Sequence, residues 1–110
     1  AGLTVDSQVE ELGGTVGNTL LTPTRLYVRP VRKLLEAFAD EPAAIHGLAN
    51  VTGGGVIDNL ARILPPGKRA VLRRGAWPVP AVFSWMQKLG NVAQAEMDRF
   101  FNGGVGFCVV

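Results

Sequence analysis

The chain has 110 residues, of which 47% are hydrophobic and 18% are charged, and its formal net charge is +2. This composition predicts one folded domain with its own core and excludes an intrinsically disordered segment. The basic residues of 68–74 have no aromatic residues interleaved with them, so no nucleic-acid partner is expected. No apolar run approaches the ~20 residues that span a bilayer, so no membrane partner is expected either.

Cysteine usage and the two ends of the sequence bear on location and completeness. Cys108 is the only cysteine, so an internal disulfide is impossible and an inert, buried thiol in a reducing cytoplasm is expected. The sequence begins without Met and stops inside the strand-like run Val109-Val110. We therefore expect residues 1–110 to form a single domain that is a fragment of a larger protein.

The first third of the chain predicts two helical segments. Residues 1–14 are weakly patterned, with at most a short helix. A helical turn is predicted over Thr15–Leu21, and an extended segment over Arg25–Val28, because a proline disfavours helix in the residue before it. Pro30 then begins a helix whose apolar residues recur at i, i+3, i+4 and i+7, namely Val31, Leu34, Leu35 and Phe38.

The remaining two thirds alternate between strand and helix patterns. Strands are predicted over Ala44–Val51, Arg69–Arg73 and Gly104–Val110. Apolar spacing predicts three helices, over residues 56–64, 82–89 and 93–101, with Asn91 as the N-terminal cap of the last. This alternation predicts a mixed α/β domain in which helices are layered on a central mixed sheet.

One stretch, from Leu48 to Leu60, joins a strand-like run, three successive glycines and a helical pattern. Gly53, Gly54 and Gly55 allow positive φ and close approach to a ligand, and the following helix would direct unpaired N–H groups to the same place. This geometry suits a phosphate. The stretch lacks the Lys-Ser/Thr of a P-loop and the G-x-G-x-x-G spacing, so a tight turn without a ligand is an equal alternative.

Few chemistry-bearing side chains accompany the glycines. The predicted strand brings Asn50 beside them, and Asp58 and Asn59 fall in the first helical turn. In the first turn, the Asp58 carboxylate is explained by an interaction with the helix dipole or by capping. For Asn59, a structural role and a ligand contact are equally plausible. His46, the only histidine, is interpreted as a hydrogen-bonded structural residue rather than a general base, and no metal site is predicted.

Four sequence runs together resemble one protein family. They are Leu20-Leu21-Thr22-Pro23-Thr24-Arg25-Leu26-Tyr27-Val28, Leu48-Ala49-Asn50-Val51-Thr52-Gly53-Gly54-Gly55 with Asn59 and Leu64-Pro65 behind it, Trp77-Pro78-Val79-Pro80 with Phe83 and Trp85, and Phe101-Asn102-Gly103-Gly104-Val105-Gly106. In this order and spacing the chain resembles the C-terminal domain of the phosphoribosylformylglycinamidine cyclo-ligase (AIR synthase) family. The resemblance extends from near Gly14 to the last residue, and four ordered runs are more specific than one glycine loop.

The resemblance implies an ATP-dependent ring closure that converts formylglycinamidine ribonucleotide to aminoimidazole ribonucleotide in purine (IMP) biosynthesis. It also implies Mg²⁺, a homodimer, and an active site shared with an N-terminal ATP-binding domain, which supplies most contacts to ATP and Mg²⁺ and is absent here. The 110-residue chain alone is therefore expected to be inactive. With the glycine geometry, the resemblance predicts a set of substrate- and phosphate-binding residues: Arg25, Asn50, Thr52, Gly53, Gly54, Gly55 and Asn59.

The chain departs from the family at Asn50, where the family usually has His. An amide donates and accepts hydrogen bonds but does not exchange a proton near neutral pH, so a positioning role could survive there while an acid–base role is lost. The catalytic residue is therefore unassigned. A second hypothesis is a non-catalytic remnant of the superfamily that retains only folding and dimerisation or interaction surfaces.

Overall fold

The computed structural model describes residues 2–110, and this part of the chain contains five α-helices and four short strands. In chain order the elements are β1 (Gln8–Val9), β2 (Gly14–Thr15), α1 (Val16–Leu20), α2 (Val28–Ala37), β3 (Leu48–Asn50), α3 (Gly55–Ala61), α4 (Ala81–Gly90), α5 (Gln94–Phe100) and β4 (Phe107–Val109). A single 3-10 turn, Glu10–Leu12, joins β1 to β2. No helix of the described residues is long and apolar enough to cross a bilayer.

The strands form two separate antiparallel pairs rather than one sheet. β1 pairs with β2, and β3 pairs with β4 so that Ala49 lies opposite Cys108 and Asn50 lies opposite Phe107. The mixed helix and strand content is thus confirmed, whereas the predicted layering on a central sheet is not. Each pair has two or three residues per strand, too little sheet for several helices to cover.

Helix α2 begins earlier than the sequence predicts. Its first residue is Val28, so the predicted extended segment is wrong at that position, and Tyr27 is the residue before the helix. Pro30 falls in the first turn, where helical N–H groups have no intrahelical acceptor and a missing N–H costs nothing. The weakly patterned N-terminal residues also differ from prediction, because they form the β1–β2 hairpin with Gly13 at φ 67°.

Three further predictions need correction. The strand predicted over Ala44–Val51 is limited to Leu48–Asn50, and the segment Arg69–Arg73 is neither helix nor strand. Asn91 does not cap α5; it ends α4 in the left-handed region, with φ 46° and ψ 44°. Asparagine tolerates that region better than most residues, and its N–H donates to the Lys88 oxygen at 3.3 Å, so it terminates the helix before it.

The hydrophobic core is small and is shared among several elements, with α3 contributing two of its residues. Its buried apolar residues are Val16, Ala49, Val51, Val56, Leu60, Trp85 and Met97. Trp85 and Met97 are thus core residues, whereas Trp77, Met86 and Cys108, the last expected to be buried, are only half-buried. Desolvation raises the pKa of the Cys108 thiol, which lowers its thiolate fraction and its reactivity.

The described residues are less compact than a typical domain of this size. Their radius of gyration is 16.9 Å, whereas a compact chain of 110 residues is expected near ~13 Å. Helix α2 contributes no buried residue; its first residue, Val28, is 69% exposed, and Leu26 just before it is 84% exposed. Much apolar surface therefore faces outward around α2.

Candidate functional site

The stretch around the three glycines folds as strand, loop and helix, which confirms the sequence prediction. Strand β3 ends at Asn50, and α3 begins at Gly55. Gly54 and Gly55 have φ of 95° and 62°, values that L side chains rarely adopt, whereas φ of Gly53 is not positive. The turn therefore requires glycine at Gly54 and Gly55 but not at Gly53.

The three glycines also differ in how much space surrounds them. A Cβ at Gly55 would lie 2.7 Å from the Asp98 oxygen and 2.8 Å from the Phe101 oxygen, so this glycine lets α3 pack against the backbone of α5. A Cβ at Gly54 would lie 2.9 Å from the Cβ of Asp58. At Gly53 nothing lies within 4 Å. Gly53 is thus the glycine of this loop that faces open space.

Two backbone donors of the loop lack an acceptor within residues 2–110. The Gly55 N–H donates to the Thr52 oxygen at 3.2 Å, which closes the turn. The N–H groups of Gly53 and Gly54 donate to no backbone or side-chain atom of the described residues. The phosphate contact of Gly55 stays a prediction, and its N–H is already engaged within the turn, whereas the N–H groups of Gly53 and Gly54 have no acceptor within residues 2–110.

The Asn59 side chain holds the loop in this shape. Its Nδ2 donates to the oxygens of Thr52, Gly53 and Gly55 at 3.4, 3.1 and 2.8 Å, and its residue is only 5% exposed. Its Oδ1 accepts a hydrogen bond from Arg62 at 3.3 Å. Because these carbonyl oxygens point toward Asn59, the N–H groups of the loop face its opposite side. Asn59 thus has a positioning role, and its ligand contact stays a prediction.

Asp58 brings a negative charge close to the loop. It lies in the first turn of α3, where a carboxylate interacts favourably with the helix dipole, and its side chain is exposed. Its Oδ2 lies 3.1 Å from the position of a Cβ at Gly54. The Gly53 side of the loop is therefore more favourable for an anion than the Gly54 side.

The segment that contains Arg25 is tied to the strand pair that carries Asn50. Tyr27 stacks on Phe107, with ring centroids 5.6 Å apart, and Phe107 lies opposite Asn50. The Tyr27 ring also fills the space beside Gly106, where a Cβ would lie 2.7 Å from Cε2. Asn50 is exposed, and Arg25 takes part in none of the ion pairs of residues 2–110.

The run that begins at Trp77 and the run that begins at Phe101 contact each other and α3. Trp77 donates from Nε1 to the Gly103 oxygen at 3.1 Å, and a Cβ at Gly104 would lie 3.0 Å from Cγ of Pro80. Through the Phe101 oxygen, the same region meets Gly55. This contact between Gly55 and the backbone of α5 is not predictable from the sequence, because no local pattern indicates which backbone segments meet.

The hydrogen bond of His46 does not involve the glycine loop. It is exposed, it precedes β3, and its backbone N–H donates to the Val110 oxygen at 2.6 Å. Among the described residues no three His, Cys, Asp or Glu side chains are grouped so that they could hold a metal ion. The residues present therefore do not fit a Mg²⁺ site, and the loop lacks the lysine with which a P-loop holds nucleotide phosphates.

Comparison with known proteins decides the family. Residues 2–110 match the family described as AIR synthase related protein, C-terminal domain. The chain belongs to this family. It is 48% identical over 109 residues to the phosphoribosylformylglycinamidine cyclo-ligase of Citrifermentans bemidjiense, which covers 99% of this chain and 30% of the relative.

Two further relatives of this AIR synthase-related C-terminal domain carry the same name. The protein of Symbiobacterium thermophilum is 53% identical over 103 residues, covering 93% of this chain and 28% of the relative. That of Desulfatibacillum aliphaticivorans is 45% identical over 109 residues, covering 99% of this chain and 30% of the relative. The AIR synthase-related domain described here thus spans less than a third of the relatives' length.

Proposed function

We propose that this chain is the C-terminal, substrate-binding part of an ATP-dependent phosphoribosylformylglycinamidine cyclo-ligase of purine biosynthesis. In this proposal its glycine loop binds the phosphate of formylglycinamidine ribonucleotide. The observation that supports the proposal is the loop at Gly53, which faces open space and offers two backbone N–H groups that have no acceptor within the described residues 2–110. The proposed reaction is the one for which the relatives are named, phosphoribosylformylglycinamidine cyclo-ligase.

The free N–H groups of Gly53 and Gly54 are the proposed phosphate donors. A charge-assisted hydrogen bond contributes ~1.5–3 kcal/mol, so two of them could supply a large share of the ~8 kcal/mol of a micromolar affinity. The Thr52 hydroxyl, exposed on the same loop, is a further proposed donor. Asn59 acts by keeping the loop carbonyls turned away from the anion.

Arg25 and Asn50 are proposed to contact the ribotide from the neighbouring strand pair. The Tyr27–Phe107 stack brings the Arg25 segment to the strand opposite Asn50, and both side chains are exposed. Asn50 would position substrate by hydrogen bonds, since an amide does not titrate near neutral pH. We assign no acid or base to the described residues.

ATP, Mg²⁺ and a homodimeric assembly in the cytoplasm belong to the same proposal. ATP and Mg²⁺ would be held mainly by the part of the relatives that this chain does not match, because its own residues do not fit them. ATP would supply the phosphoryl group that activates the formyl oxygen. The residues of this chain would bind and orient the ribotide for that step.

Substitution of Gly53 tests the phosphate site directly. We expect Gly53→Val to weaken ribotide binding at least ~10-fold, because a branched side chain would cover the free N–H groups while the fold is unstrained. Calorimetric titration with formylglycinamidine ribonucleotide measures the change. Gly14→Val is the matched control, since Gly14 also has open space and no positive φ. Unchanged affinity of folded Gly53→Val would show that the loop is only a turn.

A second test concerns the activity of the 110-residue chain by itself. We expect no detectable ATP hydrolysis or ring closure, because phosphoryl transfer needs metal and cationic groups gathered around the transferred phosphate. A coupled assay for ADP with purified chain, ribotide and Mg²⁺ measures this. Turnover that co-purifies with the chain and is lost in Gly53→Val would contradict the expectation.

A non-catalytic interaction role is the second candidate. It is favoured by α2, which has no buried residue; Leu35 on this helix is 44% exposed, and Phe38 directly after it is 38% exposed. Such an apolar helix face typically marks a surface that another protein part covers. Ribotide binding that depends on Gly53 would separate the two candidates, because a purely structural domain needs no ligand.

A further inference from the structure

The hydrogen bonds between β3 and β4 determine which way the backbone groups of each strand point. Gly47 and Val110 exchange two bonds: the Gly47 N–H donates to the Val110 oxygen at 3.1 Å, and the Val110 N–H donates to the Gly47 oxygen at 3.0 Å. At the other end of the pair, the Val51 N–H donates to the Gly106 oxygen at 2.9 Å. Residues that exchange such bonds alternate along an antiparallel strand with residues that do not. The backbone groups of residues 106, 108 and 110 therefore face β3.

The outer edge of β4 consequently carries backbone groups that have no partner among the described residues. Phe107 and Val109 alternate with the residues that bond β3, so their N–H and C=O groups point away from that strand. Within residues 2–110, β3 is the only strand that pairs with β4, and no turn or loop forms a hydrogen bond with these four groups. Such an edge is a template for a further strand.

The sequence of β4 lacks the residues that commonly protect an edge. Natural edges are blunted by charged side chains, by proline or by a covering element. Residues 103–110 include no charged residue and no proline, and Val109 and Val110 are 45% and 41% exposed. Tyr27 stacks on the ring of Phe107, but this contact between side chains gives the backbone of β4 no hydrogen-bond partner. The edge is therefore free to pair with another apolar strand.

A second copy of β4 complements this edge under a two-fold rotation. When the second strand runs antiparallel with Cys108 opposite Cys108, Phe107 of each copy lies opposite Val109 of the other. Each of these pairs exchanges two N–H···O=C bonds, so every outward N–H and C=O of both strands is used. A shift of the register would place Val109 opposite Val105, whose N–H already donates to the Asn102 oxygen at 3.0 Å. The register centred on Cys108 therefore satisfies the edge best.

We propose that two copies of this chain associate through the outer edges of β4, with the two-fold axis at Cys108. The pairing joins the two strand pairs into a single antiparallel sheet in the order β3-β4-β4-β3. A sheet of three or more strands is independently stable far more often than an isolated pair. Because the same edge is used by both copies, the association closes at two. The inference is independent of the proposed function, which assumes a homodimer without naming its contact surface.

Val109→Pro tests the edge. Proline removes an outward N–H of β4, while the bonds to β3 are made by the neighbouring residues and are kept. Sedimentation of the reduced 110-residue chain over a range of concentrations measures association, with the dimer at twice the 11.7 kDa of the chain. We expect Val109→Pro to weaken dimerisation at least ~10-fold. Val109→Thr is the matched control, since it keeps the N–H and a β-branched side chain, and its dimerisation should stay within about threefold.

Oxidation of Cys108 tests the register. Residues that lie opposite each other without exchanging hydrogen bonds have Cα atoms ~4.5 Å apart, within the range that a disulfide spans. Diamide, which takes up the two thiol hydrogens, is therefore expected to convert the chain to a covalent dimer. In the control Cys108→Ser/Val110→Cys, the thiol is on the same face of the strand and at a more exposed position. Its two copies would lie roughly 13 Å apart, so it should cross-link at least ~10-fold more slowly.

Three results would overturn the proposal. The first is a chain that stays monomeric at every concentration up to about 1 mM. The second is a dimer that Val109→Pro leaves as strong as Val109→Thr does, because the edge would then not be the contact. The third is equally fast oxidation of the two thiol positions, which indicates random collision. If Val109→Pro does not fold, Val109→Lys repeats the second test, since a lysine on an edge strand also opposes pairing.

Discussion

Gly55→Ala is expected to lower the free energy of unfolding by about 2–4 kcal/mol. The added Cβ would meet the oxygens of Asp98 and Phe101 at 2.7 and 2.8 Å, and both are backbone atoms that cannot rotate away. The residue also has φ of 62°, which costs a non-glycine residue ~1–2 kcal/mol. Because α3 and α5 supply much of the small core, the whole domain should lose stability. Urea denaturation followed by circular dichroism measures the difference.

Gly53→Ala is the control for that experiment. Its Cβ meets nothing within 4 Å and its φ is not positive, so its stability should change by no more than about 1 kcal/mol, in the stabilising direction if at all. If Gly55→Ala were as stable as Gly53→Ala, the close approach of α3 to α5 would not exist as described.

Asn59→Asp is expected to cost about 3 kcal/mol of stability. The substitution replaces the buried amide donor by an oxygen that would face the carbonyl oxygens of Gly53 and Gly55, now 3.1 and 2.8 Å from Nδ2. These two hydrogen bonds become repulsive contacts, the longer one to the Thr52 oxygen is lost as well, and a charge is placed at a position that is 5% exposed. Thermal and urea unfolding of the variant measure the loss, and exchange of the Gly53 and Gly54 amides should report the loosened loop.

Asn18→Asp makes the same chemical change at an exposed position. Asn18 lies in the first turn of α1, where a carboxylate is compatible with the helix dipole, so its stability should shift by less than about 0.5 kcal/mol. A similar cost for Asn18→Asp and Asn59→Asp would mean that added charge, rather than the lost amide donor, destabilises the chain.

The strand, loop and helix around the glycines were predictable because their signals are local. Three glycines in a row and an apolar pattern at helical spacing determine that shape with little help from the rest of the chain. The roles of the individual glycines were not predictable. They depend on the Asp98 and Phe101 oxygens beside Gly55 and on the Asp58 side chain beside Gly54, and those contacts exist only in the folded chain.

Errors elsewhere have equally specific causes. The start of α2 was missed because a proline that breaks a helix interior is tolerated in a first turn. The central sheet was overpredicted because Arg69–Arg73 has a strand-like composition but finds no pairing partner within the described residues. The cavity that Trp77, Phe83 and Phe101 line was not predictable, because these rings belong to three different segments of the chain and come together only through tertiary packing.

The pairing of β3 with β4 has a kinetic consequence. Asn50 and Phe107 are far apart in sequence, so their contact requires closure of a long loop before it gains any stabilising interaction. Helix α3 and the glycine turn involve only neighbouring residues, whereas the strand that precedes them acquires its partner only when this distant segment docks. We therefore expect the anchored form of the glycine loop to be acquired late in folding, so that it depends on completed folding more than local contacts do.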